Sequence, residues 1–250
     1  MRILVGGVSE LFQSDLDVGR LAVERLLAEK WGGHVMIEEL HYGAVAVTQR
    51  LEDLSPDVLL LVSAVRRGRP FGTVERRPVE PPVLTPGELQ AAVGDAVTGY
   101  VHVDLIVDVA TGLGVLPPRS LTIEVEPERT GPGEGLSASA EAGLEEALGM
   151  VRSELRRAPL LWLVDDIRPL VEGDRLEPSS SRDVLRQLVD ELHLLDAEGR
   201  WGRTFGLRDE LRLGIAGHVS SESMDHRDWA LWWGLIEELD RLEAVEAGGS

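Results

Sequence analysis

Short apolar runs recur through residues 1–130 and predict β-strands. The run DVLLLVSAV is continuous rather than alternating, which is typical of a strand that is covered on both faces, as in a parallel sheet. The run RILVGGV near the start of the chain also predicts a short buried strand. The predicted strands cover residues 2–8, 34–40, 57–65 and 121–128.

Between these runs, apolar residues recur with the spacing of one helical face. Residues 66–87 are rich in proline, glycine and arginine, and predict a hairpin-like segment and a loop instead. Strands that alternate with helices predict an α/β domain with a mostly parallel sheet, whose binding sites form where strands lead into helices. The predicted helices cover residues 17–30, 44–54, 101–112 (or as far as Gly114) and 137–155.

The character of the chain changes from Ala158 onward, where five of the six tryptophans lie. Helical stripes of apolar residues cover residues 184–195 and 229–242, and the stripe that contains Trp229, Trp232 and Trp233 is interpreted as core packing. The sequence therefore predicts an α/β domain over residues 1–157 and a Trp-rich helical appendage with a short flexible tail over residues 158–250.

Composition and charge exclude several classes of function. The 250-residue chain is 43% hydrophobic and carries a net charge of −19, which argues against nucleic acid and anionic membranes as partners. It has no cysteine, so disulfides and thiolate chemistry are excluded, and any metal must be held by histidine and carboxylate. With neither a signal-like segment nor a long apolar stretch, we expect a cytoplasmic protein.

Candidate chemistry begins in the turn GVSELFQSDLDVG, which follows the first predicted strand. Asp15 and Asp17 stand there as possible ligands, but Ser14 and Asp17 also have the spacing of a capping box before a helix. Asp15 could serve the helix macrodipole alone. His102 opens a later helix, with Asp104 two residues on, and the residues alone favour a structural role for it over a ligand role.

Several segments in succession resemble the hydrogenase maturation proteases, the nickel-recognising endopeptidases that trim the C-terminus of nickel–iron hydrogenase large subunits. The resemblance runs over residues 1–155, through RILVGGVSELFQSDLDVGRLAVERLL, PDVLLLVSAVRRGRPFGTV and LTIEVEPERTGPGEGLSASAEAGLEEALGMV. It implies a twisted sheet with helices on both faces, in agreement with the pattern above.

The family motif after the first strand resembles G-x-G-N-x-x-x-x-D-D/E-G-x-G, and Gly7, Asp15 and Gly19 match it. The family's three metal ligands are the second acid of this motif, an aspartate that ends the third strand and a histidine that opens a helix. These positions fall here on Leu16, Ser63 and His102. Leucine offers no donor and a serine hydroxyl is a weak one, so only one position keeps its ligand type.

In this family the nickel is carried by the substrate, and the changed ligand positions allow two alternative outcomes. Metal-dependent cleavage is expected to be impaired or absent. Alternatively, a shift of the turn by one residue would bring Asp15 or Asp17 toward His102 as a substitute ligand set.

Three functions remain open from the sequence. The first is a non-cutting relative that binds the nickel–iron hydrogenase large subunit or its precursor and uses the Trp-rich appendage as extra contact area. The second is an active nickel-dependent endopeptidase with shifted ligands, in which the ion would polarise the scissile carbonyl or activate a water. The third is a metal-free α/β protein that binds an unrelated small molecule.

Overall fold

The structure is a computed structural model that describes residues 1–97, 101–172 and 226–248, together with 186–187, 190, 205–209 and 212. The chain divides into two compact units, Met1–Leu155 and Arg156–Ser250. No helix among these described residues is both long and apolar enough to cross a membrane.

The first unit contains five strands, which are β1 (Ile3–Val8), β2 (Val35–Glu39), β3 (Val58–Ala64), β4 (Val74–Pro78) and β5 (Arg119–Val125). Its helices are α1 (Val18–Leu27), α2 (Ala44–Leu54), α3 (Pro86–Val97) and α4 (Val103–Gly112), and a 3₁₀ turn over Ser14–Asp17 precedes α1. Helix α5 (Ala138–Glu172) begins in this unit and continues into the second.

The strands form one sheet in the order β2-β1-β3-β5-β4. All neighbours are parallel except β4, which pairs antiparallel with β5 at the edge. Every residue of β1 and β3 is buried, as their continuous apolar runs predict for central strands covered on both faces. The predicted fold class, an α/β domain with a mostly parallel sheet, is confirmed.

Helices cover both faces of the sheet. On one face, α2, α3 and α4 form a single apolar cluster with Leu4, Val8 and Leu61. On the other face, α1 approaches β1 so closely that a Cβ on Gly7 would lie 2.1 Å from the carbonyl oxygen of Gly19. Glycine at both positions therefore permits this strand–helix contact.

Two elements depart from the predicted pattern. Residues 74–78 (VERRP), which lie in the segment predicted as hairpin-like and a loop, form the edge strand β4, and residues 86–97 form helix α3 without having been predicted as a helix. Strand β4 has almost no apolar side chains, and its charged residues form ion pairs instead. Arg77 contacts Glu124 on β5, and Arg76 contacts Glu154 on α5. Periodicity of apolar residues cannot detect such a strand.

The described part of the second unit contains the helix His226–Gly248. One of its faces is buried, but Trp233, predicted to share that face, is 46% exposed. Arg208 makes a 2.5 Å ion pair with Glu243 of this helix. Most of the helix predicted over residues 184–195 lies outside the described residues, as does the end of the tail. The buried face carries Trp232, Leu235, Ile236, Leu239 and Leu242.

Candidate functional site

The turn between β1 and α1 is joined to the loop that follows β5. The backbone N–H of Ser14 donates to the carbonyl of Gly133 (3.0 Å), and the N–H of Gly133 donates to the carbonyl of Phe12 (2.9 Å). Phe12 and Ser14 have φ angles of 61° and 50°, in the left-handed region that residues other than glycine rarely adopt. The two loops therefore hold each other in one conformation at the carboxyl ends of the strands.

Asp15 is fully buried and anchors this pair of loops. Its carboxylate accepts hydrogen bonds from the backbone N–H groups of Glu128 (2.9 Å), Arg129 (2.7 Å) and Ser137 (2.6 Å), and from the Ser137 hydroxyl (2.8 Å). Burial raises the pKa of the Asp15 carboxyl, but these donors outweigh it and leave the pKa below its ordinary value. Both carboxylate oxygens are already engaged, and the donors are neutral.

Asp17 stands at the N-cap position of α1 but makes no capping hydrogen bond. Its carboxylate instead accepts from Arg20, whose Nε lies 2.9 Å from both oxygens. The hydroxyl of Ser9 takes the capping role, because it accepts from the backbone N–H of Arg20 at 2.6 Å. The predicted capping box of Ser14 and Asp17 is therefore wrong, since Ser14 donates to the carbonyl of Gly131.

The remaining positions highlighted by the resemblance lie around the same edge of the sheet. Ser63, near the end of β3, is buried and donates its hydroxyl to the carbonyl of Val8 at 2.9 Å. His102 is exposed and forms the N-cap of α4, where its Nδ1 accepts from the backbone N–H of Leu105 at 3.1 Å. Val8 belongs to the apolar cluster that includes both chain neighbours of His102. The topology thus brings Ser63 and His102 to the edge of the sheet at the carboxyl ends of its parallel strands, but their nitrogen and oxygen donors do not converge on one point.

These residues do not fit a nickel ion. Two of the three positions implied by the resemblance lack a strong donor, and the third uses one ring nitrogen as a helix cap. Asp15 and Asp17, the substitute ligands, are engaged with separate partners. Within the described ranges, no group of three or more histidine, aspartate or glutamate side chains is arranged to hold a metal.

A network of arginines and buried carboxylates, which the sequence did not reveal, lies at the end of β5. Glu124 and Glu126 are 1% and 2% exposed. Arg67 Nη2 lies 2.9 Å from Glu124 and 2.7 Å from Asp104, and Arg69 Nε lies 3.2 Å from Glu126. In register, Glu124 is the partner of Ser63 on β3. The arginines lie in the run RRGR and the glutamates in EVEPE, so the charges were visible but not their pairing.

The network also sets the charge state of its carboxyls. Burial raises the pKa of Glu124, but hydrogen bonds and charge from Arg67 and Arg77 bring the pKa below its usual value. The hydrogen bond from Arg67 is the main cause of the lowered pKa of Asp104. In contrast, burial and then the charge of Asp104 raise the pKa of Asp108, one turn further along α4. Glu124 and Asp104 are therefore held as anions, each neutralised by a guanidinium group.

Two concave regions adjoin these residues. One, of about 530 Å³, lies along β4 and α4 and includes Asp104, Asp108 and Glu124 in its lining. The other, of about 460 Å³, lies between the loops that follow β1 and β5. The second is lined by Leu11, Phe12, Asp17, Arg20 and residues 133–135.

The class defined so far is an α/β protein with a five-stranded mixed sheet and a site at the carboxyl edge of its parallel strands. No protein-family model matches the sequence, and no curated protein is significantly similar to it. Solved structures with similarity to the chain include hydrogenase maturation endopeptidases.

Three of these structures are the following. The hydrogenase maturating endopeptidase HybD from Escherichia coli is 24% identical over 63% of this chain and 94% of its own, with a TM-score of 0.48. An endopeptidase from Escherichia coli is 27% identical over 63% and 94%, with a TM-score of 0.49. The nickel–iron hydrogenase maturation protease HycI from Thermococcus kodakarensis is 19% identical over 62% and 92%, with a TM-score of 0.45.

Proposed function

We propose that this chain is a hydrogenase maturation protease-like protein that binds a nickel–iron hydrogenase large subunit or its precursor without metal-dependent cleavage. The observation that carries the proposal is the state of the ligand positions. Leu16 is aliphatic, Ser63 is buried and bonded to the carbonyl of Val8, and His102 caps α4. An α/β domain that resembles the family is thus combined with side chains at positions 16, 63 and 102 that suit no divalent ion.

The motif residues that do match have clear roles in the frame. Gly7 and Gly19 allow β1 and α1 to touch, and a Cβ on Gly19 would lie 2.4 Å from the carbonyl oxygen of Val8. Asp15 fixes the loop that leads from β5 into α5 through four hydrogen bonds. These contacts support retention of a docking frame, because they shape the loops at the edge where such sheets bind ligands.

Chemistry supports the loss of cutting. A metal that polarises a scissile carbonyl must be gripped by several nitrogen or oxygen donors. The hydroxyl of Ser63 already donates to Val8, and the carboxylate oxygens of Asp15 are used by backbone N–H groups. Releasing Asp15 for an ion would leave buried N–H groups of the β5–α5 loop without an acceptor, which costs on the order of 1–3 kcal/mol for each.

The test mixes the purified protein with a nickel-loaded hydrogenase large-subunit precursor that retains its C-terminal extension. We expect capture of the precursor and, by intact-mass spectrometry, an unchanged extension. Calorimetry with nickel alone should give no binding tighter than millimolar. Processed subunit that depends on this protein and is lost in His102→Ala would overturn the proposal and favour the active endopeptidase.

A gain-of-donor variant sharpens this test. Leu16→Glu places a carboxylate at the first ligand position, and Leu27→Glu, an exposed leucine of α1, is the matched control. If missing donors explain the loss of metal binding, Leu16→Glu should bind nickel more tightly than the wild type and Leu27→Glu should not. Equal nickel affinity in all three proteins would show that a carboxylate at position 16 does not by itself restore a nickel site.

A further inference from the structure

The groove of about 460 Å³ between the β1–α1 loop and the β5–α5 loop is lined by Asp17 but not by Leu16, Ser63 or His102. Its volume falls within the range of sites that hold a small ligand or a few residues of a peptide. One wall carries two exposed apolar side chains, since Leu11 is 41% exposed and Phe12 is 70% exposed. Neighbouring exposed apolar residues beside a groove are a feature of interaction sites.

The apolar wall is held in place before any partner binds. Backbone hydrogen bonds from Gly133 to Phe12 and from Ser14 to Gly133 fix the loop at Phe12 and two residues after it. The hydroxyl of Ser14 adds a bond of 3.0 Å to the carbonyl of Gly131. A rigid, exposed aromatic side chain loses little conformational entropy on binding, which makes it suitable as an interface anchor.

The opposite wall, formed by residues 133–135, leaves space for the main chain of a docked segment. A Cβ placed on Gly135 would meet no atom within 4 Å, whereas one on Gly133 would lie 2.7 Å from the Ser14 hydroxyl oxygen. The turn around Gly133 is therefore packed, and the stretch that follows it leaves space along the groove. An extended segment would fit there more easily than a bulky helix, which spans about 10 Å across with its side chains.

The charges around the groove favour a basic occupant. Arg20 lines it but is neutralised by Asp17, with which it shares two hydrogen bonds at 2.9 Å. Glu134 also lines it, and its side chain has no hydrogen-bond or ion-pair partner among the described residues. The lining therefore carries two carboxylates and one guanidinium, and the nearby Arg129 donates to the carbonyl of Gly135 at 3.4 Å. The chain's net charge of −19 adds attraction for a basic segment at longer range.

We propose that this groove docks an extended segment of a partner polypeptide that carries apolar side chains around a basic one. The apolar side chains contact Leu11 and Phe12, and the basic side chain pairs with Glu134. That the partner is the hydrogenase large-subunit precursor rests on the proposed function, but the chemistry of the docked segment does not.

The first experiment measures fluorescence anisotropy of a fluorescein-labelled peptide with the sequence Ala-Leu-Arg-Leu-Ala. We expect saturable binding to the wild type, and about tenfold weaker binding, equivalent to ~1.4 kcal/mol, to Phe12→Ser. Phe71→Ser is the matched control, because Phe71 is 63% exposed and does not line the groove. A peptide with glutamate in place of arginine should bind more weakly, and Glu134→Gln should reduce the difference between the two peptides.

Three results would overturn the inference: no binding of the arginine peptide, equal losses in Phe12→Ser and Phe71→Ser, or no preference for arginine over glutamate. A second experiment separates this inference from the proposed function by capture of the large-subunit precursor. If the wild type fails to capture the precursor, the proposed function fails and the peptide alone decides about the groove. If the wild type and Phe12→Ser capture the precursor equally well, the proposed function stands and the groove is not its docking site.

Discussion

Asp15 and Glu124 are both buried carboxylates near the carboxyl edge of one sheet, but different partners stabilise their charges. Asp15 accepts only from backbone N–H groups and a hydroxyl, which are neutral. Glu124 is surrounded by the guanidinium groups of Arg67, Arg69 and Arg77. Neutral donors tie a loop to a turn, whereas arginines of β4 and of the loop that precedes it are joined to β5 by charge. In both regions acidic residues near a candidate site are already used internally, so acidity alone is a poor sign of a metal site.

Replacing Glu124 tests the charged region and carries the largest expected effect. Glu124→Gln leaves three guanidinium groups without their shared anion, and removing one member of a buried ion pair typically costs about 3–5 kcal/mol. We expect the lower end, about 3 kcal/mol of unfolding free energy, because Arg67 and Arg77 are partly exposed. Urea denaturation followed by circular dichroism measures it.

The matched control for Glu124 is Glu75→Gln. Glu75 pairs with Arg69 from the same network, but its side chain is 48% exposed, so we expect a loss below about 1 kcal/mol. Equal losses in the two variants would mean that solvent screens Glu124 as fully as Glu75.

Replacing Asp15 tests the neutral region, with an expected loss of about 2 kcal/mol. Asp15→Asn puts an NH₂ group where a carboxylate oxygen accepts from N–H donors, so at least one buried donor loses its acceptor. Hydrogen exchange should accelerate at the Ser137 amide, which Asp15 protects. Asp17→Asn, which weakens only a partly exposed pair with Arg20, should cost about 0.5 kcal/mol or less. If Asp15→Asn is no more destabilising than Asp17→Asn, Asp15 is not the anchor of the two loops.

Acid should weaken both regions in the same direction. The pKa values of Asp15 and Glu124 are lowered in the folded state, so each carboxyl stabilises the fold above its unfolded-state pKa, and this contribution disappears as pH falls through its folded-state pKa. We expect the urea midpoint to fall as pH drops below about 4, the range of unfolded carboxyls. Asp15→Asn and Glu124→Gln should each show a shallower decline than the wild type. A decline of unchanged slope in either variant would contradict the assignment for that residue.

The fold could be predicted from sequence because its strands and helices differ in apolar spacing. Strands β1 and β3 are fully buried, so unbroken apolar runs mark them directly. The bounds of strand β4 within the hairpin-like segment could not be predicted, because an edge strand that forms ion pairs through Glu75 and Arg77 needs no apolar face. The predicted α5 ended near residue 155, whereas the helix continues to Glu172, because its amphipathic stripe ends before the helix does.

The site was less predictable, because its contacts join distant parts of the chain. The donors to Asp15 lie 113 to 122 residues away, and no local motif encodes them. The apparent capping box of Ser14 and Asp17 had the right spacing, but Ser9 supplied the cap from the preceding loop. The lack of a donor at Leu16, in contrast, is visible in sequence alone, because a leucine side chain has no donor in any conformation.

His102 gives the smallest effect and a direct way to separate two interpretations of one side chain. As the N-cap of α4 it supplies an acceptor for the N–H of Leu105, so His102→Ala should lose about 1 kcal/mol of unfolding free energy. His102→Ser keeps an oxygen acceptor at the cap and should recover most of that loss, although it removes the imidazole. A metal ligand would behave differently, since serine would not restore nickel affinity. The measurement is urea denaturation of the three proteins, with and without nickel. If His102 is a cap, serine restores the stability and nickel has no effect. If His102 is a ligand, nickel stabilises the fold only when histidine is present.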